Sequence, residues 1–270
     1  MIARNPSVPA IKAFCVGQSK SGTASLAALL GAHHRAAHEP EREQILAMIL
    51  REARSEVTEH AFRDYLLARD QRLNLEYDIA WANQFIIGHL LTLFPHAKFI
   101  VLVRDPYTWL QSTVGHLVNR DVPPDVLAFL DWWFRPDLNP HTQHDHAMQE
   151  LGLYSIAAFL NAWNRHVTVC TQLIPPNRRL ILKTHELGRS HRQIADFLQI
   201  SVDSLDILHG HVNRGTGTDR VAPLIDRAYV TEMVESICGE NTAHYFPELA
   251  GFNDAYKLWE PQSGKERVVR

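Results

Sequence analysis

The feature that most constrains this chain is Lys98 to Val103, KFIVLV, a short run of apolar and mostly β-branched residues with no polar alternation. A strand without alternation must be covered on both faces, and such strands belong to parallel sheets wrapped by helices. Arg104-Asp105-Pro106 follows at once. A proline there fits the first turn of a helix, which the pattern carries through residues 107–118. A second unit of the same kind opens the chain. Ile11 to Val16 is an apolar run, Gly17 to Thr23 is a loop of small residues, and Leu26, Leu29 and Leu30 then recur at helical spacing as far as Gly31. Strand, loop and helix in that order bring a helix N-terminus up to the loop.

The remaining pattern extends this alternation. Residues 41–69 read as one amphipathic helix carrying Ile45, Ile49, Leu50, Val57, Phe62, Tyr65 and Leu66 among charges. Phe85 to Leu93 reads as a helix stopped by Pro95, and Leu153 to Leu173 as another broken by Pro175-Pro176. Leu180 to Leu182 is a strand. Ser190 with Gln193 forms a capping-box pattern ahead of Ile194, Phe197 and Leu198. A last helix is expected from Pro223 to Cys238, after a loop over residues 210–218. Strands alternating with helices give a three-layer α/β fold around a central, mainly parallel sheet. No repeat or linker divides the chain, so residues 1–270 are expected to form one domain.

Two stretches stand outside the alternation, about 40–75 and about 120–150. The second holds several prolines, Trp132-Trp133 and the group His141, His144, Asp145 and His146. Long excursions of this kind often serve as lids. The histidine spacing matches no common zinc signature and no cysteine assists it, so no metal is expected. Trp132 and Trp133 suit either an acceptor cleft or core packing.

Composition removes several function classes. At a net charge of −3 the chain lacks the cationic excess of a general nucleic-acid binder. Its three cysteines, Cys15, Cys170 and Cys238, are widely separated and give neither a disulfide framework nor a metal pair. Cys15 lies in an apolar run and reads as a small core residue. The opening MIARNPSVPAIKAF has no secretory apolar stretch, and no segment approaches the roughly 20 apolar residues of a membrane span. A cytoplasmic protein without membrane association is expected.

The loop Gly17-Gln18-Ser19-Lys20-Ser21-Gly22-Thr23 carries the main chemical signal. Its glycines permit a tight turn that exposes N–H groups to an anion, Lys20 adds a full charge, and Ser21, Thr23 and Ser25 add hydroxyls. Gly17 and Gly22 keep the four-residue interval of a phosphate-binding P-loop. Thr23, however, stands where that motif requires lysine, and the lysine lies inside the loop. Arg104 ends a buried strand, where open α/β sheets bind ligands, and Ser112 lies on the next helix. Together they suit a phosphate monoester. Taken singly, Arg104 equally suits a pair with Asp105, and Ser112 a solvent-facing hydroxyl.

In GQSKSGTAS and KFIVLVRDPYTWLQS the chain resembles the sulfotransferases that use 3′-phosphoadenosine 5′-phosphosulfate (PAPS), and LFPHAKFIVLVRDP is similar to that family almost residue by residue. LILKTHEL with IADFLQI, HVNRGTG and YFPEL extend the resemblance to most of the chain outside the two excursions. It implies a P-loop-like fold with helical insertions. It further implies that Gly17, Ser19, Lys20, Ser21, Gly22, Thr23, Ala24 and Ser25 hold the 5′-phosphosulfate, and that Arg104, Ser112 and Arg214 hold the remainder of the donor. The chain departs from the family at Lys183-Thr184-His185-Glu186, which receives no role, and it lacks the Tyr-Pro-Lys lead and the tryptophan of the eukaryotic cytosolic branch.

The reaction implied is in-line transfer of a sulfuryl group to a hydroxyl of a small-molecule, sugar, lipid or carrier-tethered acceptor, leaving 3′-phosphoadenosine 5′-phosphate (PAP). Lys20 would face the bridging oxygen, and no metal is needed. A general base is sought at His38 or Glu39, with Glu41, Asp78 and His116 as further candidates. Glu39 and Glu41 also suit the first turn of a helix, and His116 an exposed helical position. Two other functions fit a phosphate loop, namely a P-loop small-molecule kinase and a nucleotide-binding module without chemistry. The kinase would need a lysine after Gly22 and an acidic magnesium ligand, and neither is apparent.

Overall fold

In the computed structural model, which describes residues 11–118, 121–207 and 224–260, the two strand–loop–helix units lie side by side. The described strands are β1 (Ala13–Cys15), β2 (Ala36–His38), β3 (Tyr77–Ile79), β4 (Lys98–Val103) and β5 (Arg179–Lys183). They form one sheet in the order β2-β3-β1-β4-β5. Every pairing is parallel, with Cys15 opposite both Ile79 and Ile100. All strands therefore end on one edge. From β1 the chain crosses toward β2, and from β4 it crosses the other way toward β5, so the carboxyl ends of β1 and β4 flank the point where the winding reverses. Ligands of open α/β sheets bind in that crevice.

Side chains along β4 alternate between two separate cores, which is why the run shows no polar position after Lys98. Phe99, Val101 and Val103 join one cluster with Phe14 and Val16, while Ile100 and Leu102 join another with Ala13 and Cys15. The smaller core is closed by helix α1 (Thr23–Gly31) through Leu26, Leu29 and Leu30. Ile194 and Leu198 of a helix at His191–Leu198 complete it. The larger core takes α2 (Arg42–Ala53), α3 (Glu59–Leu73), α4 (Ile87–Leu93), α5 (Pro106–Val118), α6 (Pro124–Phe134), α7 (His146–Glu150) and α8 (Ile156–Leu173). Numbering the His191–Leu198 helix α9, the chain continues with α10 (Arg227–Tyr245) and α11 (Phe252–Lys257), which also pack on that side. Burying each large β4 side chain is worth about 1.5–3 kcal/mol, and both faces of the strand contribute. The three-layer α/β arrangement agrees with the sequence.

Several elements differ from expectation. The single helix read across residues 41–69 is two, because Ser55 turns left-handed at φ 58° and Thr58 caps a new start by accepting from Ala61 N at 3.2 Å. No glycine or proline marks that break. The 120–150 stretch holds helices, as a helical insertion would, and Phe129, Leu130 and Phe134 of α6 are buried in the larger core. Ser190 does precede α9, but no capping box forms, because its Oγ donates to Glu186 O at 2.9 Å. The last long helix begins at Arg227, where Asp226 accepts from Tyr229 N at 3.1 Å, and it runs on to Tyr245. β2, β3 and α11 lie outside the elements read from sequence. The three cysteines are buried and unbridged, and burial pushes the Cys15 thiol up to about 12.

Candidate functional site

The β1–α1 loop owes its shape to what happens to its carbonyls. Gln18 O accepts from Ser21 Oγ at 2.6 Å, and Ser19 O accepts from Trp109 Nε1 at 3.0 Å. Lys20 O accepts from Arg104 Nη1 at 3.0 Å, and Ser21 O accepts from Thr184 Oγ1 at 2.7 Å. Four successive carbonyls are thus tied down, the first by Ser21 of the loop itself and the other three by donors from α5, the end of β4 and the turn after β5. A loop held this way presents N–H groups, not oxygens, to its open side. Helix α1 begins behind it with no side-chain cap and no acidic residue in its first turn, which leaves its N-terminus suited to an anion.

Both glycines are required sterically. A Cβ on Gly17 would lie 2.7 Å from Ser21 Oγ and 2.8 Å from Leu102 Cβ. Gly22 sits at φ 98°, a conformation that disfavours any side chain. Ser21 and Thr23 are buried, while Ser19, Lys20, Ala24 and Ser25 are partly exposed.

Arg104 closes the other side of the crevice. Its Nε donates to Thr108 Oγ1 at 3.0 Å, and its backbone oxygen accepts from Trp163 Nε1 at 2.8 Å. Asp105 is fully buried and receives Thr108 N at 2.8 Å and Trp259 Nε1 at 3.4 Å, so it does not form the ion pair that would have explained Arg104 away. Burial, followed by the nearby Arg104 charge, holds the Lys20 amine below the usual lysine range. Burial also lowers Arg104, with Asp105 acting against it. Two cations side by side, with no carboxylate ion-paired to either among the described residues, form a site that a polyanion would relieve.

The segment after β2 comes up to this loop. His38 Nε2 lies 3.0 Å from Thr23 Oγ1 and 3.8 Å from Glu39 Oε1. Glu39 Oε1 accepts from Trp81 N at 3.0 Å, while its Oε2 is buried without a partner among the described residues. Burial raises the Glu39 carboxyl to about 7; the Trp81 N–H opposes this, and Asp78 adds to it. The half-exposed His38 ring is lowered by partial burial and then by Arg42, which favours its neutral form.

Backbone conformation singles out the same residues. Seven non-glycine residues have positive φ among the described residues. Asn74, Arg135 and Gln199 are helix C-caps, and Ser55 follows the end of α2, where left-handed backbone is ordinary. The remaining three are Lys20, Glu39 and Glu41, at φ 68°, 54° and 51°. Such strain, worth about 1–3 kcal/mol each, concentrates where function fixes the backbone.

The other sequence candidates are distributed as follows. Asp78 is buried, with Oδ2 2.5 Å from Arg69 Nη1 and Oδ1 3.3 Å from Asn83 Nδ2. Arg69 Nη2 also donates to Pro40 O at 2.8 Å, and Arg72 Nε and Nη2 each meet Glu41 at 2.7 Å. Asp78 and Glu41 are therefore engaged by arginines of α3 and anchor the His38–Glu41 segment from beneath. Ser112 is half-buried on α5, His116 lies in its last turn, and Arg214 lies outside the described residues. The histidines of 141–146 go to separate partners: His141 to Leu153 O, His144 to Asp226 and His146 to Glu150. Among the described residues no cluster of metal-ligand type occurs. Sequence reasoning passed over Thr184, Thr108, Trp109, Trp163 and Trp259. Thr184, Thr108 and Trp109 fell within segments already singled out, though none was given a role there, and Trp163 and Trp259 belong to no local motif.

The fold by itself places the chain among α/β proteins that bind ligands at the carboxyl edge of a parallel sheet. The family follows directly: a sulfotransferase-domain family model matches residues 12–209, and the chain belongs to the sulfotransferase family. Among solved structures, a sulfotransferase from Alicyclobacillus acidocaldarius is 17% identical over 85% of this chain and 95% of that one, with a TM-score of 0.45. The sulfotransferase domain of the Synechococcus PCC 7002 olefin synthase is 18% identical over 96% and 95%, with a TM-score of 0.36. A sulfotransferase domain from the curacin biosynthetic pathway is 12% identical over 92% and 96%, with a TM-score of 0.37. No curated protein is significantly similar to the chain. No helix among the described residues is long and apolar enough to cross a membrane.

Proposed function

We propose that this sulfotransferase draws its sulfuryl group from PAPS and passes it to a hydroxyl of a small-molecule or carrier-tethered acceptor. The observation that carries the reading is the Lys20–Arg104 pair beside a loop whose four carbonyls are tied away from the open side. A donor with phosphates at both ends of its ribose meets one cation with each. The remaining loop N–H groups, Thr23, Ala24 and Ser25 suit the 5′ end, and Arg104 with Ser112 suits the 3′-phosphate; Ser21, whose N–H and Oγ both donate to Gln18 O, shapes the loop instead. Gly17 and Gly22 supply the space that approach needs. Arg214 is proposed as a further donor contact.

Transfer forms a bond from the acceptor oxygen to sulfur and breaks the bond from sulfur to the bridging oxygen. Lys20 is the cation placed to stabilise charge growing on that oxygen, and removing such a group commonly costs about 10²–10³ in rate. The acceptor proton goes to the His38–Glu39 pair. Glu39 titrates near neutrality and has one oxygen unpartnered among the described residues, while His38 touches Thr23 of the loop. Asp78, engaged with Arg69, positions this segment instead. Trp81, whose N–H binds Glu39, packs edge-on against Phe85 and Phe129 with ring centroids 5.4 and 5.5 Å away. It gives the acceptor side an aromatic wall continuous with Trp132.

The test is calorimetric titration with PAP, and with ATP and adenosine 5′-phosphate in the presence of magnesium. Micromolar PAP binding without metal, weakened about 30- to 1000-fold in Arg104→Ala, supports the donor reading. Magnesium-dependent ATP binding with no preference for PAP replaces it with a kinase. PAP binding with no turnover of any hydroxylated acceptor leaves a binding module.

A further inference from the structure

Trp259 is the one aromatic residue among the exposed large apolar side chains of the described residues, at 41% exposure. It is nonetheless firmly placed. Its ring centroid lies 4.6 Å from Arg104 Cζ, its Nε1 donates to Asp105 Oδ2 at 3.4 Å, and the His185 ring stands 6.3 Å away. The helix before it, α11, is docked on α5: Phe252 meets Tyr107 at 5.0 Å, and Tyr256 Oη lies 2.6 Å from Gln111 Nε2 and 2.9 Å from Gln111 Oε1. The ring is thus held in place by a buried carboxylate and a cation while part of its surface stays open to a ligand.

Resting on the donor reading above, we infer that Trp259 is the stacking platform for the base of the donor nucleotide. An arginine that stacks on an aromatic face uses none of its N–H groups to do so. Of the five N–H groups of Arg104, Nε donates to Thr108 and Nη1 to Lys20 O, and the guanidinium edge can still meet a phosphate in its own plane. A nucleoside 3′-phosphate carries its phosphate and its base on one ribose. A phosphate on the Arg104 edge therefore brings the base within reach of the ring seated against that same arginine. The stacking face comes from beyond α11, far off in sequence and adjacent in space. Stacking is tolerant of base identity, so the platform adds affinity for a nucleotide over a bare phosphate and sets little preference among purines.

The experiment titrates wild type, Trp259→Ala, Trp259→Phe and Trp259→Leu with PAP and with ribose 3,5-bisphosphate, which carries the phosphates without the base. Trp259→Ala is expected to weaken PAP roughly 10- to 100-fold and to change the base-free ligand less than about 3-fold. Trp259→Phe is expected to retain most of the PAP affinity, and Trp259→Leu, which keeps apolar bulk without a π face, to lose it as alanine does. Unchanged PAP affinity in the alanine and leucine variants overturns the platform. So does equal loss of both ligands, which would mean that Trp259 acts only by holding Arg104. Wild type binding the base-free ligand as tightly as PAP also overturns it while leaving the phosphate sites standing. Wild type binding neither ligand overturns the donor reading and the platform with it. Should the alanine variant melt early, the phenylalanine–leucine comparison carries the test alone.

Discussion

Glu39→Gln should make this protein more stable at neutral and alkaline pH. The carboxyl of Glu39 is raised from an ordinary 4.5 to about 7, chiefly because burial disfavours its charge. Its side chain is only 16% exposed, one oxygen holds the Trp81 N–H, and the other has no partner among the described residues. Between those two values the folded protein keeps a proton that the unfolded chain has released. Stability therefore falls as pH rises through that window, is unaffected below about 4.5, and reaches its full loss above about 7. At about 1.4 kcal/mol per tenfold change in proton binding, the span comes to about 3 kcal/mol. Glutamine copies the protonated acid: its oxygen can still accept from Trp81 N, and it never ionises.

The assay is urea unfolding of wild type and Glu39→Gln at pH 4 and pH 8. The stability difference in favour of glutamine should be about 2–3 kcal/mol larger at pH 8 than at pH 4, with unchanged m-values. A difference that stays constant with pH refutes the reasoning, because it means that Glu39 titrates alike in the folded and unfolded chains. A gain that grows toward low pH refutes the sign. The same substitution should lower turnover, so a residue retained at a cost in stability is expected to be retained for chemistry.

The remaining predictions concern the same constellation. If Glu39 accepts the acceptor proton, kcat/KM rises with pH through an apparent pKa near 7; a limb below 6.5 would point to His38, which partial burial lowers. Glu39→Gln and His38→Gln, assayed over pH 5–9, decide between them by which variant loses the limb. Lys20→Ala should lower kcat about 10²- to 10³-fold while PAP affinity changes less than tenfold, as followed by steady-state kinetics beside calorimetry. Equal losses in both would make Lys20 a binding residue only. Arg69→Ala leaves Asp78 buried without its cation and should cost about 3–5 kcal/mol in urea unfolding. Asp78→Asn placed on top of it should recover part of that loss, and no recovery would remove the ion pair from the account.

The sequence by itself determined whatever is local. KFIVLV had to be a doubly covered strand, because no residue after Lys98 tolerates water, and its two cores are what the fold provides. The Gly17–Thr23 loop was legible because glycine spacing, lysine and an ensuing helix are all contiguous. The order of Arg104, Asp105 and Pro106 was legible for the same reason. Short elements escaped: β2 and β3 are three residues each, too brief to establish a period, and Ser55 breaks a helix without glycine or proline. Tertiary structure alone decided which carbonyls the loop turns away, because the donors on Trp109, Arg104 and Thr184 lie 90, 84 and 163 residues from their acceptors. It decided that Asp78 belongs to Arg69 and that Glu39 keeps one oxygen without a partner among the described residues. It also brought Trp259 onto Arg104. Charge type and loop geometry are written in neighbouring residues, whereas the desolvation that raises a carboxyl, and the arginine that claims another, depend on which distant chain segments fold against them.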